Sequence, residues 1–383
     1  MKMKSIFWSL FLSVVGFASC SDIVDYNDSW DNGLTSDGSP SVARISIPSD
    51  TSQTITQASL TQMIVILGDN LSNVSSLKVN DVEVDLSTIY ATRSKITFPI
   101  PRVIPEEETN KVYITTALGE TSFPLEVAIP ELVVDGLYNE FTKAGDTTTL
   151  KGNYFDLYEL TEEGVSLTYN GEAVDVFNFS ATSISLAIPE NATANTSFQL
   201  SSPRIGTPIS LDYMAEGTRI LNMENLSDNG IWAGSEFVTD GTSAGDPEPL
   251  LGKFFRMNGS YGGWSWNVIF GGGFNLNDTD ISSNPQNYYV EFEILTSSTY
   301  AISSADNIII NNYVWSPKSA GTALNTYGIW KTIKVEAVDV FKDDNSSTGA
   351  SLASGWNGIN IVCQPSEERT FDFSMCNFRF VKK

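Results

Sequence analysis

The stretch Tyr261-Gly-Gly-Trp-Ser-Trp-Asn-Val-Ile-Phe-Gly-Gly-Gly273 decides how the chain is read. Trp264 and Trp266 stand two residues apart, so on a β-strand both rings leave the same face. Glycines on either side leave room for a ligand or another backbone to come close. The chain holds 8 tryptophans, and Trp232, Trp264, Trp266, Trp315, Trp330 and Trp356 all fall in its C-terminal part. Such a density means a large aromatic core or an exposed platform for flat, weakly polar ligands.

Composition narrows the choice. A chain of 383 residues can build several cores, and 41% apolar with 18% charged residues is an ordinary globular balance. The 46 acidic against 22 basic residues give a net charge of -24. That disfavours nucleic acid and anionic membrane surfaces, which need clustered Lys and Arg, and suits a neutral ligand. Histidine is absent, which excludes Ser-His-Asp and Cys-His catalysis and His-ligated zinc or haem. The cysteines Cys20, Cys363 and Cys376 form no CxxC, so structural zinc and thioredoxin-type redox chemistry are excluded too. No metal, cofactor or catalytic residue is expected.

At the N-terminus, Lys2 and Lys4 precede the apolar run Ile6–Phe17, then Ala18-Ser19-Cys20. The run is a secretory signal, too short for a comfortable membrane span. The small residues before Cys20 resemble a bacterial lipobox, with Phe17 where leucine is usual, and this implies lipidation of Cys20. Residues 21–40 are acidic, polar and Gly/Ser-rich, which reads as a flexible tether. Acids soon after the cysteine resemble the surface-export signal of Bacteroidota lipoproteins.

Residues 41–130 and 131–214 carry one unit twice. Ile66-Leu-Gly-Asp-Asn70 matches Leu150-Lys-Gly-Asn-Tyr154, and Ala91–Pro101 matches Ala181–Pro189. Short alternating strands joined by Asn80-Asp81 and Asn170-Gly171 predict a β-sandwich for each. The pattern resembles the IPT/TIG immunoglobulin-like domain, and the units are expected to be spacers without ligand.

Residues 215–383 again alternate as strands, at Val290/Phe292/Ile294 and Ile333/Val335/Ala337. Phe371/Phe373 and Phe378/Phe380 differ in parity, which predicts a turn or bulge between them. The expected fold class is therefore all-β: two tandem immunoglobulin-like sandwiches, then a jelly-roll-like sandwich. Trp330 shares parity with Lys334 and Glu336, so it is expected to face solvent. Tyr313 and Trp315 share one face. Trp264 and Trp266 suit core or site equally; Trp232 lies in a Gly-rich loop, and Trp356 is undecided between core and site.

Aromatic rings stack on the C–H face of a pyranose while polar groups take its hydroxyls. Covering about 80 Å² per ring is worth roughly 2 kcal/mol before ordering costs. The candidate carbohydrate-binding residues are thus Trp232, Trp264, Trp266, Tyr313, Trp315 and Trp330.

Lipobox, acidic tether, paired IPT-like units and a Trp-rich β domain together resemble the surface glycan-binding proteins of Bacteroidota polysaccharide-utilisation systems. The resemblance implies a non-catalytic lipoprotein anchored in the outer membrane and facing outward. It implies a polysaccharide or oligosaccharide ligand and a TonB-dependent transporter complex as partner. Two other readings stand beside it: a structural adhesin using an open strand edge, and a glycan-degrading enzyme using two carboxylates. Against the enzyme, no acid stands in an apolar setting that would raise its pKa.

Overall fold

The computed structural model describes residues 35–317, 323–342 and 352–383. The signal segment, Cys20 and most of the tether lie outside the described residues. By contact the chain divides into two compact units, Met1–Pro130 and Glu131–Lys383.

The first unit is a β-sandwich. One sheet orders Ser41–Ser46, Met63–Asp69, Lys95–Pro99 and Tyr90–Ala91; the other orders Val82–Glu83, Val74–Val79, Lys111–Thr116 and Gly119–Pro124. Alternation along these strands sends Ile45, Ile64, Ile66, Leu77, Ile96, Phe98 and Val112 into the space between the sheets. The end of the predicted tether is docked rather than loose. The Ser36 hydroxyl lies 2.7 Å from that of Ser72, and Asp37 pairs with Arg93 at 2.9 Å.

The second unit opens with the same sandwich. Val133–Leu137, Thr147–Asn153, Ser183–Ala187 and Val176–Ser180 form one sheet; Glu172–Ala173, Ser166–Tyr169, Thr196–Ser201 and Ile209–Tyr213 form the other. The sequence match at Gly68 and Gly152 has a steric cause. A Cβ on Gly68 would run into the Ser41 carbonyl oxygen, and one on Gly152 into that of Val133. In both sandwiches the neighbouring strand bulges at this level, between Val42 and Arg44 and between Val134 and Gly136.

The rest of the second unit is a two-sheet sandwich whose strands we number from its start: β1 (Thr218–Arg219), β2 (Val238–Thr239), β3 (Phe254–Tyr261), β4 (Asn267–Leu276), β5 (Tyr288–Thr296), β6 (Ile308–Ile310), β7 (Tyr313–Val314), β8 (Lys331–Glu336), β9 (Gly355–Cys363) and β10 (Arg369–Lys382). One sheet runs β2-β3-β10-β5-β8, with β1 also on β10; the other runs β4-β9-β6-β7. Between them lie Phe255, Met257, Phe270, Phe274, Phe292, Ile308, Ile359, Phe373, Phe378 and Phe380. The parity shift along β10 is a bulge inside one continuous strand. Asn377 adopts φ 56, and Glu291 and Glu293 of β5 oppose Arg379 and Cys376.

Asn258, Ser260 and Thr370 on the outward face of the six-stranded sheet are exposed at the β3–β10 end, but the part of that face formed by β5 and β8 is largely covered. The second sandwich covers it, and Thr332 N of β8 donates to Tyr138 O at 2.9 Å. Glu140, Glu291, Glu293 and Arg379 are all fully buried there. Arg379 binds Glu291 at 2.9 Å, Glu293 at 3.0 Å and Glu140 at 3.3 Å. Lys334 Nζ reaches Glu140 at 2.6 Å and Glu291 at 3.3 Å. The Asn377 side chain donates to Glu293 at 2.8 Å.

Candidate functional site

The four-stranded sheet keeps its outer face open, and there the glycines of β4 become intelligible. Phe270, Phe274 and Leu276 point into the core, so Gly271, Gly273 and Asn275 belong to the outer face. On β9, Ile359, Ile361 and Cys363 are buried in the core, and Trp356, Gly358 and Asn360 alternate outward. β4 pairs with β9 in the register Gly273↔Gly358 and Asn275↔Trp356.

Trp232 reaches this face from the other side of β4. Its N–H donates to Gly271 O at 2.9 Å and Gly271 N donates to Ala233 O at 3.1 Å, extending the sheet edge by one short bridge. The approach is held by buried Asn229, whose side-chain amide donates to Ile220 O and Gly273 O, both at 2.8 Å.

Both rings lie against glycine. A Cβ built on Gly271 would meet Trp232 Cζ2, Cε2 and Cη2 at 2.5, 2.6 and 2.9 Å. One on Gly273 would meet Trp356 Cε2 and Cζ2, each at 2.7 Å, and one on Gly230 would meet Trp356 Cη2 at 3.3 Å. Trp356 thus crosses from β9 over β4 to the loop beyond. The far faces of the rings are open: Trp232 is 68% exposed and Trp356 54%. Positions two apart on a strand are separated by about 7 Å, so the two rings lie over neighbouring outer positions of β4. The exposed Asn275 and Asn360 stand on the same face and offer amides to hydroxyls.

Trp266 and Trp264, 59% and 67% exposed, lie just before β4. Trp266 is two residues ahead of Val268, which pairs with Val362 of β9, so parity carries it to the outer face as well. Trp264 occupies a left-handed turn position at φ 59, its N–H donating to Pro365 O at 2.6 Å. The pair that parity left between core and site is exposed.

The three remaining candidates lie elsewhere. Trp330 is only 6% exposed. Its indole Nε1 donates to Glu248 O at 2.9 Å, and its ring meets Phe254 edge-on at 5.7 Å, in a small cluster with Leu295 and Cys376. Parity assigned it correctly to the face of Lys334, but that face is the one the second sandwich and the Glu248–Leu250 segment cover. Trp315 is half-buried and packs edge-on against Phe292 at 5.3 Å. Tyr313 pairs with Ile310 and packs on the central core. Trp356, undecided in the sequence, is exposed on the outer face; its signal was the Gly355-Trp-Asn-Gly358 setting, which mirrors the glycines of β4.

Acids in apolar settings do exist, contrary to the sequence reading. Burial, with Glu140 close by, pushes Glu291 up to about 8; burial pushes Glu293 up to about 7 against the pull of Arg379. They sit on the other sheet beneath the second sandwich, where no substrate reaches them. Cys363 and Cys376 are buried free thiols, one between the sheets and one in the Trp330 cluster.

Residues 213–382 match the family model described as surface glycan-binding protein B xyloglucan binding domain. No curated protein matches the chain. Among solved structures it is similar to the surface glycan-binding protein PbSGBP-B of Prevotella bryantii, at 17% identity and TM-score 0.48, covering 91% of this chain and 99% of that one. A second similar structure is an SGBP-B from a complex xyloglucan utilization locus in Bacteroides uniformis, at 15% identity and TM-score 0.42, covering 90% and 100%. A third is the SGBP-B of the Bacteroides ovatus mixed-linkage glucan utilization locus, in complex with a mixed-linkage heptasaccharide, at 13% identity and TM-score 0.27, covering 85% and 73%. The stretch matched by that family model, residues 213–382, contains the C-terminal sandwich that bears the open tryptophan face.

Proposed function

We propose that the protein captures a β-glucan of the xyloglucan class on the tryptophan face of the C-terminal sandwich. The observation that carries this reading is the pair Trp232 and Trp356, laid side by side on glycine with their outer faces open. Trp266 and Trp264 extend that surface, and Asn275 and Asn360 hydrogen-bond ring hydroxyls. A water-exposed ring pair of this kind is costly unless a ligand covers it, and a sugar's C–H face does so. Each ring contributes roughly 2 kcal/mol before ordering costs, which gives the moderate affinity suited to a polymer held at repeated positions.

The protein performs no chemistry on the glycan; it retains it for others. Cys20 carries a lipid that holds the chain on the outer membrane, facing outward. Residues 41–130 and 131–214 are IPT/TIG-like spacers that lift the binding face away from the surface, and a TonB-dependent transporter complex takes up what is captured. The test is affinity electrophoresis and calorimetry of the purified protein with xyloglucan, mixed-linkage β-glucan and an α-glucan control. Binding to the β-glucans that is lost in Trp232→Ala and Trp356→Ala supports the assignment. Equal binding by wild type and both variants, or none by wild type, overturns it.

A further inference from the structure

The glycines of β4 are read above as floor, and their geometry assigns them a further role. We propose that Gly271 is a positioning residue of the glycan platform: having no side chain, it lets Trp232 lie face-down on the sheet and so sets the plane that the sugar meets. The inference rests on the platform reading and deepens it.

Three consecutive atoms of the Trp232 ring, Cε2, Cζ2 and Cη2, stand 2.6, 2.5 and 2.9 Å from where a Gly271 Cβ would be. Near-equal distances to three successive atoms describe a ring seen through its face. An edge-on ring touching through Cζ2 would hold its two neighbours distinctly farther off. Cβ atoms do not approach others this closely, so any side chain at 271 lifts or tilts the indole. The three atoms nearest a Gly271 Cβ all belong to the Trp232 ring. At Gly273 the situation differs, since a Cβ there also meets Asn357 O at 2.5 Å, and a substitution would disturb the β4–β9 pairing itself. Gly271 therefore isolates the effect of ring attitude from that of sheet integrity. Its main-chain hydrogen bonds to Trp232 and Ala233 are ones alanine can make equally well, and its φ lies outside the left-handed region.

A tilted indole still exposes aromatic surface but no longer lies flat on the sheet beside Trp356. A stiff chain bridging both rings then loses one of its two stacking contacts. Fluorescence titration and calorimetry with xyloglucan oligosaccharides test this in the full-length protein, using Gly271→Ala, Trp232→Ala and the double variant. Gly271→Ala is expected to weaken binding about tenfold, the share of one stacking ring, at a melting temperature near that of wild type. Added to Trp232→Ala, it is expected to change affinity no further, because alanine then meets no ring and the two substitutions act through one contact. Unchanged affinity in Gly271→Ala overturns the proposal. So does a further loss in the double variant, which would mean that Gly271 acts on binding by a route other than Trp232. Should Gly271→Ala melt early, the double variant still decides: it must recover the melting temperature of Trp232→Ala, and failure to do so overturns the positioning role.

Discussion

The buried charge cluster makes the second unit's stability depend on pH in a direction that can be worked out. Glu293 is fully buried, accepts from Arg379 Nη1 at 3.0 and 3.1 Å and from Asn377 at 2.8 Å, yet titrates at about 7 against an ordinary 4.5 because burial outweighs these contacts. Its folded value lies above its unfolded one, so between pH 4.5 and 7 the folded chain holds a proton that the unfolded chain has released. Stability from this group is complete below pH 4.5, falls as pH rises through the window, and is lost above about 7. The gap corresponds to about 3 kcal/mol, or a fall of about 6 to 12 °C in melting temperature for a unit of this size. Glu291, raised to about 8 by burial and Glu140, acts in the same sense and extends the slope upward. The assay is thermal denaturation from pH 5 to 8 at constant ionic strength, followed by tryptophan emission, to which the buried Trp330 and half-buried Trp315 of this unit contribute. The chain's negative charge also disfavours the compact state as pH rises, so the decisive comparison is Glu293→Gln, which cannot titrate and should flatten the slope. A melting temperature that rises or stays level from pH 5 to 8, or an equal slope in the variant, refutes the reasoning.

Three further outcomes follow from the structure. Trp330→Ala removes a buried ring and its hydrogen bond to Glu248, and should cost about 3 to 5 kcal/mol of stability with glycan affinity kept; Trp356→Ala should do the opposite, and calorimetry beside a melting curve separates the two. Cys20→Ala should move the protein from the membrane fraction to the soluble one, and unchanged fractionation excludes the lipid anchor. Cys363 and Cys376 should resist a thiol reagent in the native protein and both react once it is unfolded without reductant, since burial pushes Cys363 up to about 12 and Cys376 well above its usual range; reaction of neither would mean a bridge.

Much of the fold was written in local pattern. The repeat around Gly68 and Gly152 was legible because the same close approach of a neighbouring carbonyl demands glycine in each sandwich. The turns at Asn80 and Asn170-Gly171 were legible because they adopt positive φ, which these residues reach at least cost. The bulge of β10 showed as a change in parity between Phe373 and Phe378. What local pattern omits is which outer face another domain covers. Val290/Phe292/Ile294 against Glu291/Glu293 reads as core against solvent, and the first half is right. The glutamates instead meet Arg379 and Lys334, which also bind Glu140, and all three are distant in sequence from both.

The same blind spot divides the tryptophans, and it points to a better signal than parity. Trp330 and Trp356 both sit on an outer face of the sandwich; one face is roofed and the other open. Nothing adjacent to Trp330 in sequence announces its roof, because Glu248 and Phe254 lie some eighty residues away and reach it only through the fold. Trp232 and Trp356, by contrast, advertise an open setting through glycine. A ring that is to present one face to a ligand must rest its other face on the sheet, and the outer positions beneath it must then be empty of side chains. Gly271 and Gly273 meet that requirement two residues apart on β4, and Gly230 meets it again where Trp356 overhangs the loop. A core tryptophan has no such need, since its neighbours interdigitate around it as Leu295 and Phe254 do around Trp330. In this chain, alternate glycines on the strand beneath Trp232 and Trp356 therefore mark the rings left open, and the buried Trp330 has no such bed.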